Sequence, residues 1–320
     1  MNYIIITSIN EITKAVIDFS KQSNFHVVVI GDKKSIPYNH ENVTYLNIED
    51  QDNLSYESIR TTPYNHYSRK NIGYLYAIKN GADHIYDTDD DTMPYENWAI
   101  RDFKCSNIVD GSININPYKL FTDKKIWPRG LDLSFINKKE SYNKYSLDSK
   151  IGVWQGVIDG DSDFDAIYRL TIDEHIIFDK NDDIAINSEC YAPFNTQSTL
   201  WNKNLYPLLY IPISVDFRFT DILRGYVAQK IMWNHGYKLG FHSANTYQIR
   251  NQHNYYADFL GELSMYTQLP KLIDTLKNFK LKKKSIFYDL FDIYLALYEI
   301  KIVDYQELEN LNNWIADIKK

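Results

Sequence analysis

Asp87, Asp89, Asp90 and Asp91 stand within five residues, directly after the apolar pair Ile85-Tyr86. Like charges this close oppose joint ionisation, so a shared cation is what makes such crowding tolerable. Mg²⁺ or Mn²⁺ prefers oxygen ligands and takes one or two carboxylates together with substrate phosphates. A solvated acidic turn is the bland alternative. The position weighs against it, because the cluster follows an apolar strand inside a repeating strand and helix pattern, where open parallel sheets hold ligands.

That pattern starts at the N-terminus. Tyr3 to Thr7 reads as a first strand, followed by Asn10 as N-cap and Ile12, Ala15, Val16 and Phe19 at helical spacing. His26 to Ile30 is a second strand ending in Gly31-Asp32, and the right-handed crossover this implies makes the sheet parallel. Thr44 to Ile48 is a third strand. Tyr67 to Asn80 is a helix with Ile72, Leu75 and Tyr76 inward and Gly81 as its stop. Residues from Ser112 to Phe194, including the lysine-rich stretch Asn137 to Lys144, read as loops and short strands over the sheet. Thr220 to Trp233 is a helix and Leu239 to Gln248 a strand or loop. Helices are expected over 256–279, 284–301 and 304–319.

The expected architecture is therefore α/β, with a catalytic domain over 1–255 and a helical extension over 256–320. At 320 residues the chain can bury a large core, and 44% hydrophobic with 24% charged residues is ordinary for a globular protein. A net charge of -7 argues against nucleic acid as a partner. Two cysteines, Cys105 and Cys190, make neither a disulfide framework nor a zinc site. A reducing, cytoplasmic compartment is the expectation. The apolar stretch Ile286 to Val303 is broken by Asp289, Asp292, Glu299 and Lys301, so it reads as a packed helix and no membrane span is expected.

Several familiar motifs are excluded. No Gly-x-Gly-x-x-Gly turn and no Gly-x-x-x-x-Gly-Lys loop follows the first strands. Asp159 to Asp165 imitates a calcium loop, but Phe164 stands where glycine is needed and Leu170 where the bidentate glutamate belongs. An Asp-x-Asp-x-Thr phosphatase motif fails because its fifth position from Asp87 is Asp91. What remains fits a metal-bound diphosphate. Strand alternation would let Asp87, Asp89 and Asp91 point together, with Asp89 and Asp91 as metal and ribose contacts. Arg69 and Lys70 are candidate phosphate contacts and Asp32 a candidate base or ribose contact. Asp221, at a helix start, is a candidate general base; its simpler reading is dipole stabilisation. His242 and His253 are candidate late metal ligands or structural histidines.

The ordered segments Arg69 to Ile78, Ile85 to Asp91, Trp127 to Gly130, Gln155 to Asp161 and Thr220 to Tyr226 resemble the STELLO family of probable glycosyltransferases over roughly residues 1–255. The resemblance implies a GT-A-like three-layer sandwich whose mainly parallel sheet binds a nucleotide sugar through an Asp-x-Asp motif and a divalent metal, Mn²⁺ or Mg²⁺. It assigns Asp89, Asp90 and Asp91 to that motif and makes the Arg129, Asp161 and Asp221 segments candidate cleft walls. The implied partners are a nucleotide-diphosphate sugar donor and a hydroxyl acceptor. A mutase or nucleotidyltransferase using the same donors, and an inactive nucleotide-sugar-binding scaffold, are the alternatives.

Overall fold

The computed structural model describes residues 1–139, 141–250, 254–282 and 285–320. The N-terminal part runs β1 (Asn2–Thr7), α1 (Lys14–Ser20), β2 (Phe25–Ile30), β3 (Val43–Leu46), α2 (Ile48–Asp52), α3 (Lys70–Lys79), β4 (His84–Thr88), β5 (Thr92–Pro94) and β6 (Lys104–Asp110). The middle contributes β7 (Asn143–Gly156), β8 (Asp159–Gly160), α4 (Ala166–Thr171), β9 (Ile184–Ile186) and β10 (Ser198–Asn202). Then come α5 (Thr220–Asn234), β11 (Tyr237–His242), β12 (Thr246–Gln248), α6 (Tyr255–Asn278), α7 (Ile286–Glu299) and α8 (Tyr305–Lys319).

Nine strands form one mixed sheet in the order β11-β9-β6-β7-β10-β4-β1-β2-β3. The half expected from the N-terminal pattern, β4-β1-β2-β3, is parallel throughout. The chain moves outward from β1 to β2 and β3, then returns to the other side of β1 as β4. Such a reversal is a topological switch point, and it opens a crevice at the carboxyl ends of β1 and β4. The other half is mixed, because β10 runs antiparallel to both β4 and β7.

Alternation along the strands explains the layers. Tyr3 and Ile5 of β1 and Val28 and Ile30 of β2 face one apolar cluster; Ile4, Ile6, Val27 and Val29 face the other. The first cluster is covered by α3 and α5 and continues into Leu269, Leu272, Leu290, Ile293 and Trp314 of the C-terminal helices. Gly73 lets α3 lie on the sheet, since a Cβ there would meet Ile30 Cδ1 at 2.2 Å. No described helix is long and apolar enough to cross a membrane.

Three expectations change. Thr13, not Asn10, caps α1, its side chain accepting from the Val16 N–H. The region from Ser112 to Phe194 holds the 14-residue strand β7 near the middle of the sheet, where loops and short strands over the sheet were expected. Its first six residues are exposed, with Tyr145 and Leu147 set among polar side chains, so no apolar run announces it. Strand alternation also ends too early to align the aspartates. β4 stops at Thr88, and Asp87 points instead into the core.

Candidate active site

The crevice beyond the carboxyl ends of β1, β2 and β4 is a cleft of about 440 Å³, within the range of small-molecule sites. Asp89, Asp90 and Asp91 all line it, as do Asp32 and Arg69. The aspartates sit in the turn between β4 and β5, and each is fixed by a different element. Asp89 Oδ1 accepts from the Tyr67 hydroxyl at 2.6 Å and from Lys70 Nζ at 3.4 Å. Asp90 Oδ2 accepts from Ser8 Oγ at 2.5 Å and Asn10 Nδ2 at 2.9 Å, tying the turn to the end of β1. Asp91 Oδ2 accepts from Gln248 Nε2 at 3.0 Å; Gln248 in turn accepts from Gln197 Nε2 at 3.0 Å. The small sheet β5-β12-β8 places Gln248 opposite Thr92, which is what brings it to Asp91.

Asp89 Oδ2 and Asp91 Oδ1 make no hydrogen bond among the described residues. Burial is the main force on both carboxyls. It lifts Asp91 to about 7, helped by the neighbouring charges of Asp89 and Asp90, and it lifts Asp89 too, against the pull of Lys70 and Tyr67. Gln197 Oε1, also in the cleft wall, is buried and has no hydrogen-bond partner among the described residues. Two part-buried carboxylates, each with one oxygen unbonded among the described residues, beside an amide acceptor with no partner there, suit a hard cation that completes its shell with substrate and water. Among the described residues no group of three or more His, Cys, Asp and Glu side chains is assembled as a full metal cage.

The other expected residues fall into two groups. Asp32 lines the cleft as a loop organiser, accepting from the backbone N–H of Lys33 and of Asn65, each at 2.7 Å. Arg69 lines it while bonded to Gln51 and lying over the Tyr64 ring. Lys70 is fully buried beneath the turn, paired with Asp87 at 2.6 Å and donating to the Thr88 carbonyl at 2.7 Å. Asp87 also takes Tyr74 at 2.7 Å and Arg224 at 3.1 Å, so it joins α3, β4 and α5.

Arg129, Asp161 and Asp221 stand behind the cleft and do not line it. Arg129 donates to both oxygens of Asp163 and both of Asp221 at 2.8–3.0 Å, and to the Arg218 carbonyl at 2.5 Å. Asp161 pairs with Arg169 at 3.3 Å and accepts from the Arg250 backbone N–H at 3.2 Å. His242 is buried away from the aspartates, bonded to the Ser243 carbonyl, and burial holds its pKa down at about 3. His253 lies outside the described residues.

Residues absent from the sequence expectations complete the site. Tyr67 and Gln248 hold the aspartates, while Phe217, Arg218 and Arg250 line the cleft. Phe217 is 54% exposed, its ring 5.5 Å from that of Tyr67. An aromatic and a cation directly before the α5 start were a readable signal. The Gln248 contact was not readable, since its partner is 157 residues away.

Comparison with known proteins bears on this arrangement. Residues 218–320 match the family profile described as STELLO glycosyltransferases. The match takes in all three C-terminal helices, beyond the segments that carried the resemblance in sequence. The chain is 26% identical over 302 residues to "Probable glycosyltransferase STELLO1" of Arabidopsis thaliana, covering 86% of this chain and 38% of that protein. It is 24% identical over 340 residues to "Probable glycosyltransferase STELLO2" of the same plant, covering 99% of this chain and 44% of that protein. The chain thus spans less than half the length of these relatives. Residues 218–320 thus match the STELLO glycosyltransferase profile, and the chain as a whole is similar to these two curated relatives.

Proposed function

We propose that this chain is a metal-dependent, GT-A-type glycosyltransferase that moves a sugar from a nucleotide-diphosphate sugar to a hydroxyl acceptor. The observation that carries the reading is the Asp89–Asp91 turn at the switch point, with two desolvated carboxylates each keeping an oxygen unbonded among the described residues. The similarity to two probable glycosyltransferases supports it. Held by Asp89 and Asp91, Mn²⁺ or Mg²⁺ would supply Lewis-acid neutralisation of the departing diphosphate.

The protein's own residues do the positioning. Tyr67 and Lys70 fix Asp89, Gln248 fixes Asp91, and Ser8 and Asn10 fix Asp90, so little reorganisation remains when charge develops. The loop held by Asp32 shapes the far end of the cleft for base or ribose. The Phe217 ring offers an apolar surface to a sugar or acceptor. A general base must stand within hydrogen-bond reach of the proton it takes. Asp221 is engaged through both oxygens by Arg129, and we assign it the role of fixing Arg129 and, through it, the Arg218 carbonyl.

The test is product analysis with nucleotide sugars labelled in the sugar, supplied with Mn²⁺ and a panel of hydroxyl acceptors. Glycosyl transfer predicts release of the nucleoside diphosphate and label in the acceptor. Label retained on the nucleotide would indicate a mutase, and turnover of none of the panel would favour a binding scaffold; either result contradicts the proposal.

A further inference from the structure

Among the described residues four cations line the cleft: Lys34, Arg69, Arg218 and Arg250. Lys34 is exposed, and Arg69 is committed to Gln51 and the Thr62 carbonyl. Arg218 and Arg250 are held differently, both by α6. Arg218 Nε and Nη2 donate to Glu262 Oε1 at 3.0 and 2.7 Å, and neither bond uses Nη1. Glu262 is fully buried and does not line the cleft; its other oxygen accepts from the Ala166 N–H at 2.8 Å and the Tyr266 hydroxyl at 2.5 Å. With both oxygens engaged it cannot swing. Gly261 sits beside it, where an added Cβ would come 3.3 Å from Arg218 Cγ, so the helix backbone supports the arginine stem. One turn earlier, Asp258 Oδ2 accepts from Arg250 Nη2 at 3.0 Å.

We infer that α6 is part of the substrate site: through Glu262 and Asp258 it holds Arg218 and Arg250 in the cleft as the receptor for the diphosphate of the substrate. The inference rests on the nucleotide-diphosphate reading above and adds which residues take the anion. Guanidinium groups suit phosphate because their planar forks donate in pairs. The backbones are anchored too, Arg218 by the Arg129 clasp and Arg250 by Asp161. Burial and the neighbouring charges of Arg218 and Arg169 disfavour the charged form of Arg250 and outweigh the carboxylates of Asp258 and Asp163, a balance that a bound anion would shift toward the cation. All four residues, Arg218, Arg250, Asp258 and Glu262, fall within the region matching the STELLO profile. Glu262 and Asp258 are positioning residues, acting through the arginines.

Calorimetric titration of the whole chain with Mn²⁺ alone, and then with inorganic pyrophosphate or UDP in the presence of Mn²⁺, tests this. Arg218→Met and Arg250→Met should each weaken pyrophosphate binding by about 10- to 100-fold, the worth of a charge-assisted hydrogen bond, with Mn²⁺ binding unchanged. Glu262→Gln and the milder Asp258→Asn should weaken pyrophosphate binding several-fold at unchanged Mn²⁺ affinity, a split that a merely structural role would not produce. Arg218→Lys should recover only part of the loss. If the arginine variants bind pyrophosphate like wild type while Asp91→Asn does not, this inference fails and the proposed function stands. If Glu262→Gln and Asp258→Asn both leave pyrophosphate binding intact, the role of α6 is refuted. If wild type binds neither pyrophosphate nor UDP, the proposed function fails and the inference with it.

Discussion

In the proposed reaction, Asp91 is the residue on which most of the chemistry turns. Its carboxyl is raised to about 7 chiefly by burial, so in the metal-free protein it holds its proton well above the ordinary carboxylate range. The sign follows from linkage. A group whose pKa is raised on folding lends stability at pH below its unfolded value, and that contribution is lost as pH rises through about 7. Metal competes with this proton, so Mn²⁺ should bind more tightly as pH increases from 5.5 to 7.5. Titration calorimetry across that range checks it, and Asp91→Asn should flatten the dependence. Arg129 gives a second prediction. It is buried between two carboxylates, and Arg129→Met would leave Asp163 and Asp221 uncompensated, costing about 3–5 kcal/mol in denaturant unfolding. At this scale the sequence exposed the aspartate turn, Asp32 and Arg69 as cleft residues. It could not show that Lys70, Arg129, Asp161 and Asp221 are engaged behind the lining, because their partners are set by packing between distant segments.

The elements legible in sequence are those whose apolar period is strong and local. β1, β2, α3, α5 and the three C-terminal helices lie within a few residues of their expected bounds. β7 was not legible, because half of its length faces solvent and mixes Tyr145 and Leu147 with polar side chains. The turn after β4 misled for a different reason: period-two alternation holds only while the strand lasts, and it ends at Thr88. The contact between α3 and β2 carries a prediction of its own. Gly73 lies under Ile30 and Ile5, with added-Cβ distances of 2.2 and 2.8 Å. Gly73→Ala should therefore destabilise by about 1–3 kcal/mol through overpacking, despite the better helix propensity of alanine. Urea unfolding with an unchanged m value would confirm it.

Across the whole molecule, the C-terminal helices are tied to the cleft by more than α6. Glu307 of α8 accepts from Tyr210, the Ile213 and Ser214 N–H groups and Ser214 Oγ, fixing the segment that leads to Phe217 and Arg218. Asp317 of the same helix accepts from the Glu57 and Ser58 N–H groups. The helices thus buttress the wall of the cleft that carries the arginines, while the parallel half of the sheet carries the aspartates. The central claim is that these two walls close on a metal-bound nucleotide diphosphate. Thermal unfolding of wild type and Asp91→Asn with a panel of nucleotide sugars, each with and without Mn²⁺, tests it most directly. The account predicts that at least one nucleotide sugar raises the wild-type midpoint only with Mn²⁺, by the equivalent of about 2.7 kcal/mol at a hundredfold excess over Kd, and that Asp91→Asn abolishes the rise. No shift with any nucleotide sugar, or an equal shift in Asp91→Asn or without Mn²⁺, would contradict it.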